Sequence, residues 1–136
     1  MSSFCLLKGR PMKKFFLVFF ILLSININAL VLQDCYNFGD EVSFSYENCI
    51  NSNFSTIDRD LFNNSLFLRR CSNFGNGVEF SFVNCINNNF STIERECLEN
   101  LFLTDCFNYG TTLTSNFTYC VNRNFRDIAM SLSDEF

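Results

Sequence analysis

The sequence predicts a mainly α fold of three tandem disulfide-stapled helical-hairpin repeats of about 35 residues. Three observations predict it. Segments beginning Cys35-Tyr36-Asn37-Phe38-Gly39, Cys71-Ser72-Asn73-Phe74-Gly75 and Cys106-Phe107-Asn108-Tyr109-Gly110 each reach a second cysteine after thirteen residues, at Cys49, Cys85 and Cys120. Each copy then carries apolar residues three and four positions apart, the spacing of one helical face. The chain after its leader is proline-poor and rich in phenylalanine, so one compact domain can form from these copies.

Residues 1–29 form an N-terminal extension and a secretory signal peptide, to be set apart from the fold. Lys13 and Lys14 open the signal, Phe15 to Leu23 is its apolar run, and a cut after Ala29 is expected. That run is about half the roughly 20 residues needed to cross a bilayer, so no stable membrane anchor is expected. Met12 opens a better-formed signal than Met1, which leaves the true start open. Residues 30–136 then form a single small domain of three repeats, 35–70, 71–105 and 106–136.

Without the leader the chain holds six arginines, no lysine and fourteen acids, a net charge of −8. Repulsion from phosphates and anionic lipid argues against nucleic acid and against cationic membrane disruption. Seven cysteines in these about 107 residues, behind a signal peptide, read as a disulfide framework and a secreted, extracellular protein. The cysteines are widely spaced singles and the chain has no histidine, so neither a metal nor another cofactor is expected.

In each repeat the apolar stripe follows the second cysteine: Phe54, Ile57 and Leu61; Phe90, Ile93, Cys97, Leu98 and Leu101; Phe125, Ile128 and Leu132. Ser55-Thr56-Ile57-Asp58 and Ser91-Thr92-Ile93-Glu94 have the form of a capping box, which predicts helix starts there. Asp58 and Asp60 would then sit at the positive end of the helix dipole, and the helix would run through Cys71 to stop near Gly75.

The stretch between paired cysteines carries two patterns. Val42, Phe44, Tyr46 and Val78, Phe80, Phe82 alternate like a half-buried strand, which gives α+β with short strands as the alternative fold class. The same residues also give a helical stripe, and copy three keeps only that version in Leu113, Phe117, Cys120 and Val121. A short helix is therefore expected, with a glycine turn and a second antiparallel helix completing a hairpin. Cysteines fourteen apart in one straight helix would lie ~21 Å apart, against ~6 Å for a bridge, so a turn must intervene. The expected pairs are Cys35–Cys49, Cys71–Cys85 and Cys106–Cys120, with cross-repeat pairing such as Cys49–Cys71 the alternative. A loop of this length closed by one bridge stabilises by about 3 kcal/mol.

Cys97 stands where its neighbours carry Leu61 and Leu132, and is expected to be a buried free thiol or, less simply, an intermolecular bridge joining a homodimer. Four sites fit the N-linked sugar pattern, at Asn53, Asn63, Asn89 and Asn116. Asn53 and Asn89 are the favoured acceptors, read as lying in loops before a helix; Asn63 and Asn116 read equally well as turn or cap residues. Phe44, Phe80 and Phe107 are expected to pack on the next repeat, the alternative being an exposed apolar patch for a partner or lipid.

No histidine, phosphate-cradling loop or nucleophile motif is present, so an enzyme is not expected. Asp58, Asp60, Glu94, Glu96 and Glu99 are the acids a carboxylate-dependent hydrolase would need, and solvated helix ends explain them more simply. The expected function is an extracellular binding module for an unknown protein or small apolar ligand. A lipid-binding or membrane-perturbing helical protein, with a Phe-lined cavity, is the second reading.

Overall fold

The computed structural model describes residues 30–97 and 101–133, among which there are three helices and no strand. They are α1 (Phe44–Phe62), α2 (Phe80–Cys97) and α3 (Ser115–Ser133), one per repeat. The signal-peptide segment, Leu98 and Glu99 lie outside the described residues. Mainly α architecture with stapled repeats therefore holds, and the strand alternative falls. Each repeat nevertheless has one long helix where two shorter ones are expected.

The reason is visible along α1. Tyr46, Ile50, Phe54, Ile57 and Leu61 are all buried at steps of four and three, so the stripes on either side of Cys49 are one continuous face. The Ser55 capping box lies in the helix interior. The real start is at Ser43, whose hydroxyl accepts the Tyr46 N–H at 3.2 Å, and Thr114 does the same for Phe117 at 3.2 Å. At the other end Asn63 and Asn64 take left-handed conformations, φ 55° and 62°, which asparagine tolerates. Helix α1 therefore stops well before Cys71 and Gly75, and Asp58 and Asp60 lie in its C-terminal part.

What pairs with each helix is a non-helical arm. Residues 30–35, 66–71 and 101–106 run to the first cysteine of their repeat, and disulfides Cys35–Cys49, Cys71–Cys85 and Cys106–Cys120 pin each arm to the first half of its own helix. The intervening turn brings the Cα atoms within 5.6 Å in every case. Cross-repeat pairing is excluded.

Two asparagines per helix complete the grip. Asn53 donates to the Gln33 carbonyl at 2.7 Å and accepts the Gln33 N–H at 2.9 Å. Asn89 and Asn124 do the same for Arg69 and Thr104. Asn51, two residues earlier, holds both backbone groups of Cys71, the cysteine of the next repeat, at 2.7 Å each. Asn87 holds Cys106, and Asn122 reaches round to hold Cys35. Buried backbone groups lacking a strand or helix partner must be paired, and these amides supply both the donor and the acceptor.

Repeat one thus holds repeat two, two holds three, and three holds one. The repeats form a closed ring in which neither terminal copy needs a polar cap, unlike an open solenoid. Phe54, Phe90 and Phe125 meet on the ring axis, with centroids 5.0–5.1 Å apart and planes inclined 61–64°, an edge-to-face triangle. Around it lie Ile50, Ile57, Ile86, Ile93, Val121 and Ile128, all fully buried.

Candidate functional site

Each cysteine arm leads into a loop built by one asparagine. Asn37 donates to the carbonyls of Gly39 (2.9 Å) and Glu41 (2.8 Å) and accepts the Ser43 N–H at 2.8 Å, so a single side chain fixes the turn and the approach to α1. Asn73 and Asn108 repeat the pattern in the other two copies. Gly39 and Gly110 have φ +107° and +97°, a conformation that side chains disfavour.

The three loops adjoin. Val78 donates its N–H to Thr111 O at 2.9 Å and Leu113 to Asp40 O at 2.8 Å, while Glu47 on α1 accepts the Asn73 N–H at 3.1 Å. The helix starts and their loops are therefore gathered at one end of the ring. On this end stand Phe38 and Phe74, each 88% exposed, and Tyr109 at 83%; Phe44 and Phe80 at the starts of α1 and α2 are 75% and 82% exposed. The expectation that Phe44, Phe80 and Phe107 pack on the next repeat is overturned: all three are largely exposed, because they face away from the stripe that builds the core.

Carboxylates stand on the first two of these loops. Asp40 and Glu41 are exposed in the first loop, whereas Glu79 uses one oxygen to accept the Phe74 N–H at 3.0 Å. No lysine or arginine occurs in 36–58, 72–94 or 107–122. Arg70, just before the second loop, donates to Asn48 on α1 at 2.9 Å, and Arg126 lines a cleft of about 420 Å³ between the first loop and α3. Tyr36, Tyr119, Leu113 and Thr118 also line that cleft. Its polar groups are already engaged: Asn122 holds Cys35, and Arg126 donates to both oxygens of Asp34 at 3.1 and 2.7 Å. That bonding to Arg126 holds the Asp34 carboxyl below its ordinary pKa. The loop end is the surface with uncommitted chemistry.

The residues singled out in the sequence fall into distinct places. All six expected staple cysteines are paired as expected. Cys97 is buried in the α2 stripe, as expected, but is disulfide-bonded rather than a free thiol. Asn53 and Asn89 lie mid-helix, 3% and 4% exposed, with their amides holding arms and touching Cys35 and Cys71 Sγ at 3.5 Å. A sugar on that nitrogen would break the grip, so the favoured acceptors are structural residues. Asn63 and Asn116 are exposed.

The acids are dispersed. Asp58 accepts the N–H groups of Leu66 (3.0 Å) and Leu68 (3.3 Å), and Glu94 accepts that of Leu103 (2.5 Å), so both tether the connection that follows their helix. Asp60 pairs with its neighbour Arg59 at 2.8 Å and Glu96 is exposed. Sequence reasoning passed over the loop-tip aromatics Phe38, Phe74 and Tyr109. Their signal was an aromatic between the Asn and Gly of a turn in all three copies, where no core is within reach.

Comparison with protein families, with characterised proteins and with solved structures finds no match. Function must be argued from this geometry.

Proposed function

We propose that the chain is a secreted interaction module whose aromatic loop end binds a macromolecular partner. The observation that carries this reading is the segregation of aromatics. Rings such as Phe54 and Phe125 are sealed inside a stapled ring, while Phe38, Phe44, Phe74, Phe80 and Tyr109 stand in water at the loop end; Phe67 and Phe102 are exposed singly in the arms leading to Cys71 and Cys106. A group of exposed aromatic rings on a rigid scaffold suits a docking face, because burying them releases ordered water with little further loss of chain freedom.

Three intramolecular disulfides support an oxidising environment, which fits export. Among the described residues no helix is long and apolar enough to cross a membrane. A ligand cavity on the ring axis finds no support, since the three-phenylalanine contact fills it.

The test is site-specific photocrosslinking of the exported chain in its own extracellular medium. A benzophenone side chain at Phe38 or Phe74 should give discrete adducts that excess unlabelled chain competes away, while one at exposed Ser52 on α1 should not. Equal labelling from all three positions would overturn the reading.

A further inference from the structure

We infer that the loop end docks a positively charged segment of a partner protein, a deduction that rests on the binding-module reading and names its partner. The face combines two attractions for a cation. Exposed Phe38, Phe74 and Tyr109 present ring faces whose quadrupoles attract an ammonium or guanidinium group, and Asp40 and Glu41 place two carboxylates on the same loop end. Glu47 and Glu79 add to the negative potential, each using an oxygen for a backbone N–H. No base occurs in 36–58, 72–94 or 107–122; Arg126 has its charge balanced by Asp34, and the guanidinium of Arg70 is committed to Asn48 on α1 at 2.9 Å.

Charge decides among the possible occupants. An anionic membrane or nucleic acid meets a field of the wrong sign. A neutral apolar partner, or the acyl region of a zwitterionic bilayer, would cover the rings only by stripping water from Asp40 and Glu41 and leaving them unpaired. A basic segment alone satisfies both groups at once, stacking its cationic heads on the rings while its charges neutralise the carboxylates. The loops are fixed by Asn37, Asn73 and Asn108, so the face is preorganised.

The test uses the full exported chain with three defined probes: a fluorescent ten-residue peptide of alternating arginine and glycine, its glutamate–glycine counterpart, and phosphatidylcholine vesicles. The triple variant F38S/F74S/Y109S and the double variant D40N/E41Q alter only exposed side chains, and an unchanged circular dichroism spectrum checks their folding. The arginine peptide should bind the parent chain, with each variant weakening it by about tenfold. Raising salt should weaken binding further in the triple variant, which keeps its carboxylates, than in D40N/E41Q. Vesicle binding that the triple variant abolishes, without arginine-peptide binding, would overturn the basic partner while keeping the face as a docking surface. Arginine-peptide binding insensitive to the triple variant would overturn the face itself.

Discussion

The side-chain amide of Asn122 holds both backbone groups of Cys35, eighty-seven residues away, accepting its N–H at 2.7 Å and donating to its carbonyl at 2.9 Å. This pair closes the ring, since it is the third-repeat counterpart of Asn51 on Cys71 and Asn87 on Cys106. Both partners are buried, so truncation leaves two backbone groups without water or protein to bond. Asn122→Ala should cost about 2–4 kcal/mol, the penalty for two orphaned buried groups, read as a shift in the denaturant midpoint at constant slope. Asn122→Asp keeps the acceptor and loses the donor, and should be no better. A loss below about 0.5 kcal/mol would show that closure contributes little.

Tyr46 sits where the other repeats carry Phe82 and Phe117, and its hydroxyl is buried, makes no hydrogen bond of good geometry among the described residues and meets only a weak interaction with the Thr118 side chain. Tyr46→Phe should therefore leave stability unchanged or raise it by about 1 kcal/mol, because it removes a desolvated polar atom without changing shape. Differential scanning calorimetry of parent and variant decides this, and a clear loss would reveal a partner for the hydroxyl.

Burial pushes the Tyr46 phenol up to about 12 from its ordinary 10.0. With the folded value raised, the unfolded chain releases this proton first. The stabilisation from keeping the phenol neutral is complete below pH 10 and is lost between pH 10 and about 12 at up to about 1.4 kcal/mol per unit. Alkaline unfolding should thus fall less steeply in Tyr46→Phe than in the parent chain. Parallel curves for the two would contradict the burial argument.

Each staple closes a loop of sequence separation 14. Removing one as the pair C71A/C85A should cost about 3 kcal/mol and leave the helical circular dichroism signal in place at low temperature, since Asn51 still holds residue 71 by its backbone. Replacing Phe90 by alanine opens the axial triangle instead, and should cost about 3–5 kcal/mol. If Phe90→Ala proved milder than Phe44→Ala, whose ring is exposed, the core would be wrongly placed.

Export from a eukaryotic cell should give sugar at Asn63 and Asn116 and none at Asn53 or Asn89 in the folded product. N63Q/N116Q should therefore abolish the mass shift on deglycosylation, whereas N53Q should leave it and destabilise the chain. Glycopeptides carrying Asn53 in native, fully oxidised protein would refute this.

The cysteine spacing and the apolar stripes made the repeats, the staples and the helical class legible in one dimension, since both depend on residues within a copy. Helix length was misread at Ser55 and Ser91, where a capping-box pattern and asparagine-rich surroundings mimic a start. Mid-helix asparagine ordinarily marks a break because its side chain competes for local backbone groups. Here Asn51, Asn53 and their equivalents find backbone groups on an arm 19 or 20 residues away, or 87 in the case of Asn122, so the helix runs on. Their threefold recurrence beside buried Ile50 and Phe54 was the signal to read.

By itself the chain's order of residues determined which side chains are apolar and how often they return, and thereby three oxidisable units, each with a face to bury. Only the tertiary structure decided that the units close on one another and leave Phe38, Phe74 and Tyr109 together in water. The reason is that closure is a property of long-range contacts: Asn122 and Cys35 carry no mark of each other until three arms and three helices are folded around the same axis.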